Sequence, residues 1–415
     1  MNIDAERLWR SISTLAEVGA YTDEATGLVG VNRLALTDAD RDGRRLVKQW
    51  FEEAGLDVRV DRIGNVIARR AGREDLSPVM SGSHIDSVPT GGAFDGALGV
   101  LGALEVVRTL NDRDVKTRRP IDIAFFTDEE GARFGTDMLG SATAVGRLAL
   151  DDALALTDRD GCTVGGELQR IGFAGDAPER LAPPHAYVEV HIEQGPILGA
   201  NQRDLGAVTG VQAISWQEVT IAGKSAHAGT TPMSLRHDAG LAAARIHLHL
   251  MEMIHSGKYG ADMRATMGQI DVHPNRVNIV PSRVVCTVDL RNPYDDLMSK
   301  AERDLADFFA HVAEELGVEI TARQTARTAS VDFDPRVVEL VERHMKAAGF
   351  DHERILSGAG HDAQELAALC PTAMIFVPGL YDGISHNPRE LSTKEACANG
   401  VSCLYEALVE LAEES

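Results

Sequence analysis

Apolar residues recur at helical spacing in two stretches near the start of the chain. From about Asp4 to Val18, Leu8, Ile12 and Leu15 share one face. From about Asp38 to Ala54 the spacing predicts a second helix, with Leu46, Trp50 and Phe51 inward and Gly55 as its stop. Short apolar runs then read as strands at Leu56–Val60, Asn65–Ala68 and Val79–Ser83, followed by a long apolar helix from Gly96 to Leu110. Two further buried strands, Ile121–Phe126 and Tyr187–Ile192, end in polar clusters. Strands alternating with helices predict an α/β domain on a mostly parallel sheet with helices on both faces. In such sheets ligands collect at the carboxyl ends of the strands.

The pattern changes after Val211. Strands are expected at Ser215–Ile221, Ala265–Val272, Ser282–Leu290 and Val318–Arg323, with helices near Asp238–Ile254 and Leu297–Leu316. Two β-α-β units make a smaller α/β sandwich, ferredoxin-like in outline, inserted at residues 212–326. The first pattern resumes from 327 to 415, with a helix from Asp334 to Ala348, a strand Ala373–Val377 and a closing helix to Leu411. The expected division is therefore 1–211 with 327–415, and 212–326.

The polar clusters carry the chemistry. His84-Ile85-Asp86 and Phe94-Asp95-Gly96 follow one strand, Asp128-Glu129-Glu130 another, and His191-Ile192-Glu193-Gln194 closes a third. His386 stands in a late loop, Ser385-His386-Asn387-Pro388. Read singly, Asp95 is a helix N-cap, Asp128-Glu129-Glu130 a solvated acidic turn, His191 a half-buried strand-end residue and His386 a turn residue before a helix, while His84 is open between a structural role and a ligand. Together they supply the N and O donors of a divalent-metal hydrolase, which also needs a base for water. Neighbouring side chains leaving a strand point apart, so of Glu129 and Glu130 one can bind metal while the other faces water. Asp86 is expected to accept the other ring N–H of His84 and so fix its tautomer.

Composition narrows the partners. Across 415 residues, 41 basic and 63 acidic side chains give a net charge of −22, which argues against nucleic-acid and anionic-membrane partners. An anionic substrate then needs a local cation. The polar start Met1-Asn2-Ile3-Asp4 shows no secretory pattern, no apolar run approaches membrane-spanning length, and a cytoplasmic location is expected. The five cysteines (Cys162, Cys286, Cys370, Cys397, Cys403) have no Cys-x-x-Cys spacing and read as buried small apolar residues.

Six segments in register, His84-x-Asp86, Phe94-Asp95-Gly96, Thr127-Asp128-Glu129-Glu130-Gly131-x-Arg133-Phe134, His191-Ile192-Glu193-Gln194-Gly195, Gly358-Ala359-Gly360-His361-Asp362 and Ser385-His386-Asn387-Pro388, resemble the N-carbamoyl-L-amino-acid hydrolase family. That family also holds allantoate amidohydrolases and β-ureidopropionases, within the aminoacylase type of dimetal hydrolases. The resemblance implies that Asp95 bridges two divalent metal ions, with His84, Glu130, His191 and His386 completing their ligation. It makes Glu129 the general base for a metal-bridged water. It makes 212–326 a lid and dimerisation domain of a homodimer, in which His227 polarises the substrate carbonyl from the partner subunit. Gln194, Asn278 and Arg291 resemble the substrate-binding set, Arg291 holding a carboxylate. An Arg suits that task physically, because its planar guanidinium binds a carboxylate bidentately.

The expected activity is cleavage of the carbamoyl C–N bond of an N-carbamoyl-L-amino acid to amino acid, carbon dioxide and ammonia. Allantoate and N-carbamoyl-β-alanine are the rival ureido substrates, a dimetal exopeptidase is a weaker reading, and an inactive binding protein of the same fold a remote one. Zinc is favoured by the donor set; manganese, cobalt and nickel fit similar sites.

Overall fold

The computed structural model describes residues 3–414. Met1 and Asn2, part of the polar start weighed above, and Ser415 lie outside them. Packing divides the chain into two compact units: one from the residues up to Gly210 with those from Asp332 onward, the other Val211–Val331. No helix among the described residues is long and apolar enough to cross a membrane.

The first unit is built on a nine-stranded sheet. Its order runs Asp57–Val60, Val66–Arg70, Ile121–Phe126, Val79–His84, Ala186–Ile192, Thr372–Val377, Leu205–Val211 and Val331–Asp332, with His352–Ser357 also pairing with Leu205–Val211. The four central strands, Ile121–Phe126 to Thr372–Val377, are mutually parallel. They are buried along their whole length, as runs covered on both faces must be. One face is covered by helices Ala97–Asp112 and Lys394–Glu413, whose Gly102 and Gly400 approach Val190. On the other, helix Asp362–Leu366 places the Ala363 amide 3.0 Å from Glu189 Oε2.

The sheet is mixed rather than mostly parallel. Asp57–Val60 returns into Val66–Arg70 through a tight turn in which Asp61 Oδ1 accepts the amides of Ile63 and Asn65 at 3.0 and 2.8 Å. A hairpin so short can only be antiparallel. Val66–Arg70 then pairs antiparallel with Ile121–Phe126, as does Leu205–Val211 with Thr372–Val377. Helix Asp38–Glu53 is also turned from its expected face. Its buried side is Asp40, Gly43, Arg44, Val47 and Phe51, with Asp40 and Arg44 a fully buried ion pair (2.7 Å); Phe51 is inward as expected, while Leu46 and Trp50 are only half-buried.

The second unit has a five-stranded sheet in which Arg283–Asn292 and Ala213–Ala222 are central and every named pairing is antiparallel. Helices Ala239–His255 and Asp295–Leu316 join the strands in one core that includes Ile246, Leu250, Leu305, Val284 and Val288. The single strand expected at Ala265–Val272 is two, Arg264–Thr266 and Ile270–His273. Thr266 faces Asp289 and Ile270 faces Cys286, so one extra residue bulges between them around Gly268. Of the cysteines, Cys162 is exposed, not buried; the other four are buried.

Candidate metal centre

The carboxyl ends of the four parallel strands each deliver part of one cluster. His84 is the last residue of its strand, and His191 the penultimate residue of its own. Glu129 and Glu130 follow Phe126 by a turn, and His386 lies in the loop after Val377. Three residues here hold left-handed backbone without being glycine: Asp128 (φ 54°), Gln194 (φ 56°) and His386 (φ 55°). Such strain persists only where surrounding packing enforces it, and it concentrates at functional sites.

Asp95 stands at the middle. Its Oδ1 lies 3.6 Å from His84 Nε2 and 3.3 Å from His191 Nε2. Its Oδ2 lies 3.4 Å from His386 Nε2, which is 3.2 Å from Glu130 Oε2. Each oxygen thus faces its own set of donors. Asp95 is not a helix cap: Gly96 occupies the N-cap of Ala97–Asp112 at φ 64°. A Cβ on Gly96 would sit 2.4 Å from His84 Nε2, so both the backbone and the imidazole require glycine there.

Hydrogen bonds assign the tautomers of the two buried histidines. Nδ1 of His84 meets the main-chain carbonyl of Asp86 at 3.0 Å, and Nδ1 of His191 that of Ile192 at 2.9 Å. A carbonyl only accepts, so Nδ1 carries a proton in each ring and Nε2 is the atom directed at Asp95. The Gly96 amide, which donates to His191 Nε2 at 3.1 Å, agrees. It is the Asp86 carbonyl, not its carboxylate, that receives the His84 proton. The carboxylate is 4.0 Å away and instead accepts the amides of Glu129 and Glu130, at 3.4 Å each. Asp86 therefore shapes the acidic turn, because its backbone reaches the ring before its side chain can.

Opposite charges are crowded together in this cluster. Burial works against the His84 imidazolium, but Glu129, Asp95 and Asp86 outweigh it and hold its pKa well above the ordinary value. His386, whose side chain is half exposed, is raised to about 11 because Asp95 and Glu130 overcome its desolvation. Burial pushes Glu129 well above the carboxylate range; Asp362, Glu130 and Asp95 add to this and His84 opposes it. Oε1 of Glu130 is buried with no hydrogen-bond partner. Donor atoms of His84, Asp95 and His191, and of Asp95, Glu130 and His386, lie within 4.8 Å of one another in each set. This donor set fits two divalent ions sharing Asp95. A third set, Glu189, His191 and His361, is also that close. There Ser83, Tyr187 and the Ala363 amide already donate to Glu189, so no cation is required.

Glu129 Oε2 is 3.4 Å from His84 Nε2, and Gln194 Nε2 donates to Asp95 Oδ2 at 2.7 Å. The other expected site residues belong to the second unit. His227 pairs with Ile279 on a short antiparallel ladder, and just beyond it the Ala228 amide donates to the Asn278 carbonyl at 3.0 Å. The Gly229 amide donates to His227 Nδ1 at 3.1 Å, which leaves Nε2 to carry the proton and act as a donor. Arg291 is the penultimate residue of its strand, and its guanidinium is paired with Asp289 at 3.0 Å. Sequence reasoning missed Glu390 and Glu189, buried carboxylates against the cluster. Glu189 could have been found as an acid inside an otherwise apolar strand; Glu390 carries no such signal.

A mixed α/β sheet with His and carboxylate donors at the ends of its parallel strands defines a candidate metal-dependent hydrolase. The model of Peptidase family M20/M25/M40 matches residues 80–410. The chain is 42% identical over 415 residues to an N-carbamoyl-L-amino-acid amidohydrolase of Rhizobium meliloti, covering 99% of this chain and 97% of that protein. It is 32% identical to an allantoate amidohydrolase of Bacillus subtilis, covering 97% and 96%. The crystal structure of an amidase of the hydantoinase/carbamoylase family from Burkholderia multivorans superposes with a TM-score of 0.90 at 45% identity, covering 99% and 98%. This chain belongs to Peptidase family M20/M25/M40.

Proposed function

We propose that this protein is an amidohydrolase that cleaves the carbamoyl C–N bond of N-carbamoyl-L-amino acids, yielding the amino acid, carbon dioxide and ammonia. The similarity to amidohydrolases of that name supports the substrate class. The observation that carries the chemistry is Asp95, each of whose oxygens faces a separate donor set. His84, His191, Glu130 and His386 complete two cation sites, with zinc favoured by their His and carboxylate donors and manganese, cobalt or nickel the alternatives. Divalent cations bound there would supply Lewis acidity and lower the pKa of water.

The chain's own residues do the rest. Glu129 is the general base: its Oε2 faces the cluster, 3.4 Å from His84 Nε2, where it can take a proton from water and return it to the leaving nitrogen. Asp86 holds the amides of Glu129 and Glu130 and keeps that turn in place. Gln194 is assigned to substrate binding beside Asp95. In the second unit, His227 is the Nε2–H donor for the carbonyl oxygen, Asn278 its neighbour in binding, and Arg291 the reader of the substrate carboxylate in competition with Asp289. That unit is proposed as lid and homodimer surface, and the enzyme as cytoplasmic.

The test is ammonia release from a panel of N-carbamoyl-L-amino acids, their D forms, N-carbamoyl-β-alanine, allantoate and N-acetyl amino acids. Turnover highest on the N-carbamoyl-L forms is expected. Preference for allantoate would move the assignment to that activity, and preference for N-acetyl substrates would overturn the ureido reading.

A further inference from the structure

Glu390 is buried four residues beyond His386, and its two oxygens serve two different loops. Oε1 accepts the main-chain amides of Phe94 and Asp95 at 2.9 and 3.0 Å. Oε2 lies 2.7 Å from the Ser385 hydroxyl, which is itself 2.7 Å from Asp95 Oδ2. Close packing makes room for this clasp: a Cβ on Gly92 would stand 2.4 Å from the Glu390 Cβ. A second tie between the same loops runs from Thr90 Oγ1 to the His386 carbonyl at 3.1 Å. One side chain therefore fixes the segment bearing Asp95 relative to the segment bearing His386.

We propose that Glu390 is a positioning residue for the metal centre. By holding the Phe94 and Asp95 amides it sets where the two Asp95 oxygens stand, and so governs how tightly both cations are held. The inference rests on the ligand set given above. Outer partners of metal ligands are commonly worth about 10- to 100-fold in metal affinity.

The experiment titrates Co(II) into metal-free full-length protein, following uptake by equilibrium dialysis and the visible absorption bands, for wild type, Glu390→Gln and Glu390→Asp. Wild type should bind two ions. Glu390→Asp, one methylene too short to reach both amides, should lose about 10- to 100-fold in affinity and shift the bands. Glu390→Gln keeps an oxygen for the amides and should recover affinity to within a few-fold. Thermal melting of the metal-free forms separates positioning from folding: the melting points should stay together while cobalt affinity separates. Glu390→Asp binding cobalt as wild type does would overturn the role of Glu390, as would Glu390→Gln falling with it. Wild type binding no cobalt would instead overturn the ligand set itself.

Discussion

The two units present their polar residues in opposite ways. In the first, His84, Asp95, Glu129 and His191 are buried, and main-chain groups of Asp86, Ile192 and Gly96 hold their rings and turns. In the second, His227 and Asn278 are exposed, and Arg291 is half-buried on an ion pair with Asp289. Buried donors with fixed direction suit cations, which demand short distances and set angles. Exposed donors suit an organic substrate that must enter and leave. The difference between the regions is one of preorganisation, and substitutions should separate them.

The largest expected effect is Glu129→Gln, which removes the proposed base and should lower kcat about 10²- to 10⁴-fold with metal content unchanged, measured by steady-state rates and elemental analysis. Full activity in that variant would refute the assignment. His227→Ala comes next, a loss of about 10²-fold in kcat expected for a missing oxyanion donor, again without loss of metal. Arg291→Lys keeps the charge but not the fork; KM for the carboxylate substrate should rise about tenfold, with kcat less affected. Metal loss in either second-unit variant would break the contrast. Smallest is Gly96→Ala, which forces a Cβ onto His84 at positive φ. A cost of about 1–3 kcal/mol should appear as a lower melting temperature, with weakened metal binding alongside.

Much of this architecture was readable from periodicity. Helices Ala5–Glu17, Ala239–His255 and Asp295–Leu316 lie within a few residues of their expected spans, and Ile121–Phe126 matches its expected strand. Long amphipathic or wholly apolar segments announce themselves because burial dictates their composition. The hairpin Ala20–Thr22 with Val29–Val31 and the strand Leu205–Val211 went unread. The hairpin strands have three residues each, and Leu205–Val211 contains Gly206 and Gly210, so neither shows sustained alternation. At the cluster, His84, Asp95, Glu130, His191 and His386 could be named as a group because each follows an apolar strand or sits in a marked loop. Which atom meets which could not. The Asp86 carbonyl outcompeting its own carboxylate for His84, and Asp289 engaging Arg291, depend on backbone path and rotamer, which no residue pattern encodes.

The carbonyls behind His84 and His191 have one more consequence. A side-chain orienter can be erased by a single codon change; a peptide oxygen is present whatever residue carries it. Substituting Asp86 or Ile192 should therefore leave both imidazoles aimed as before, and only a rerouted chain could turn them aside. Two of the five proposed donors are in this sense insured against point mutation, which leaves Asp95, Glu130 and His386, the first two held through the side chains of Glu390 and Asp86, as the places where drift in metal preference would begin.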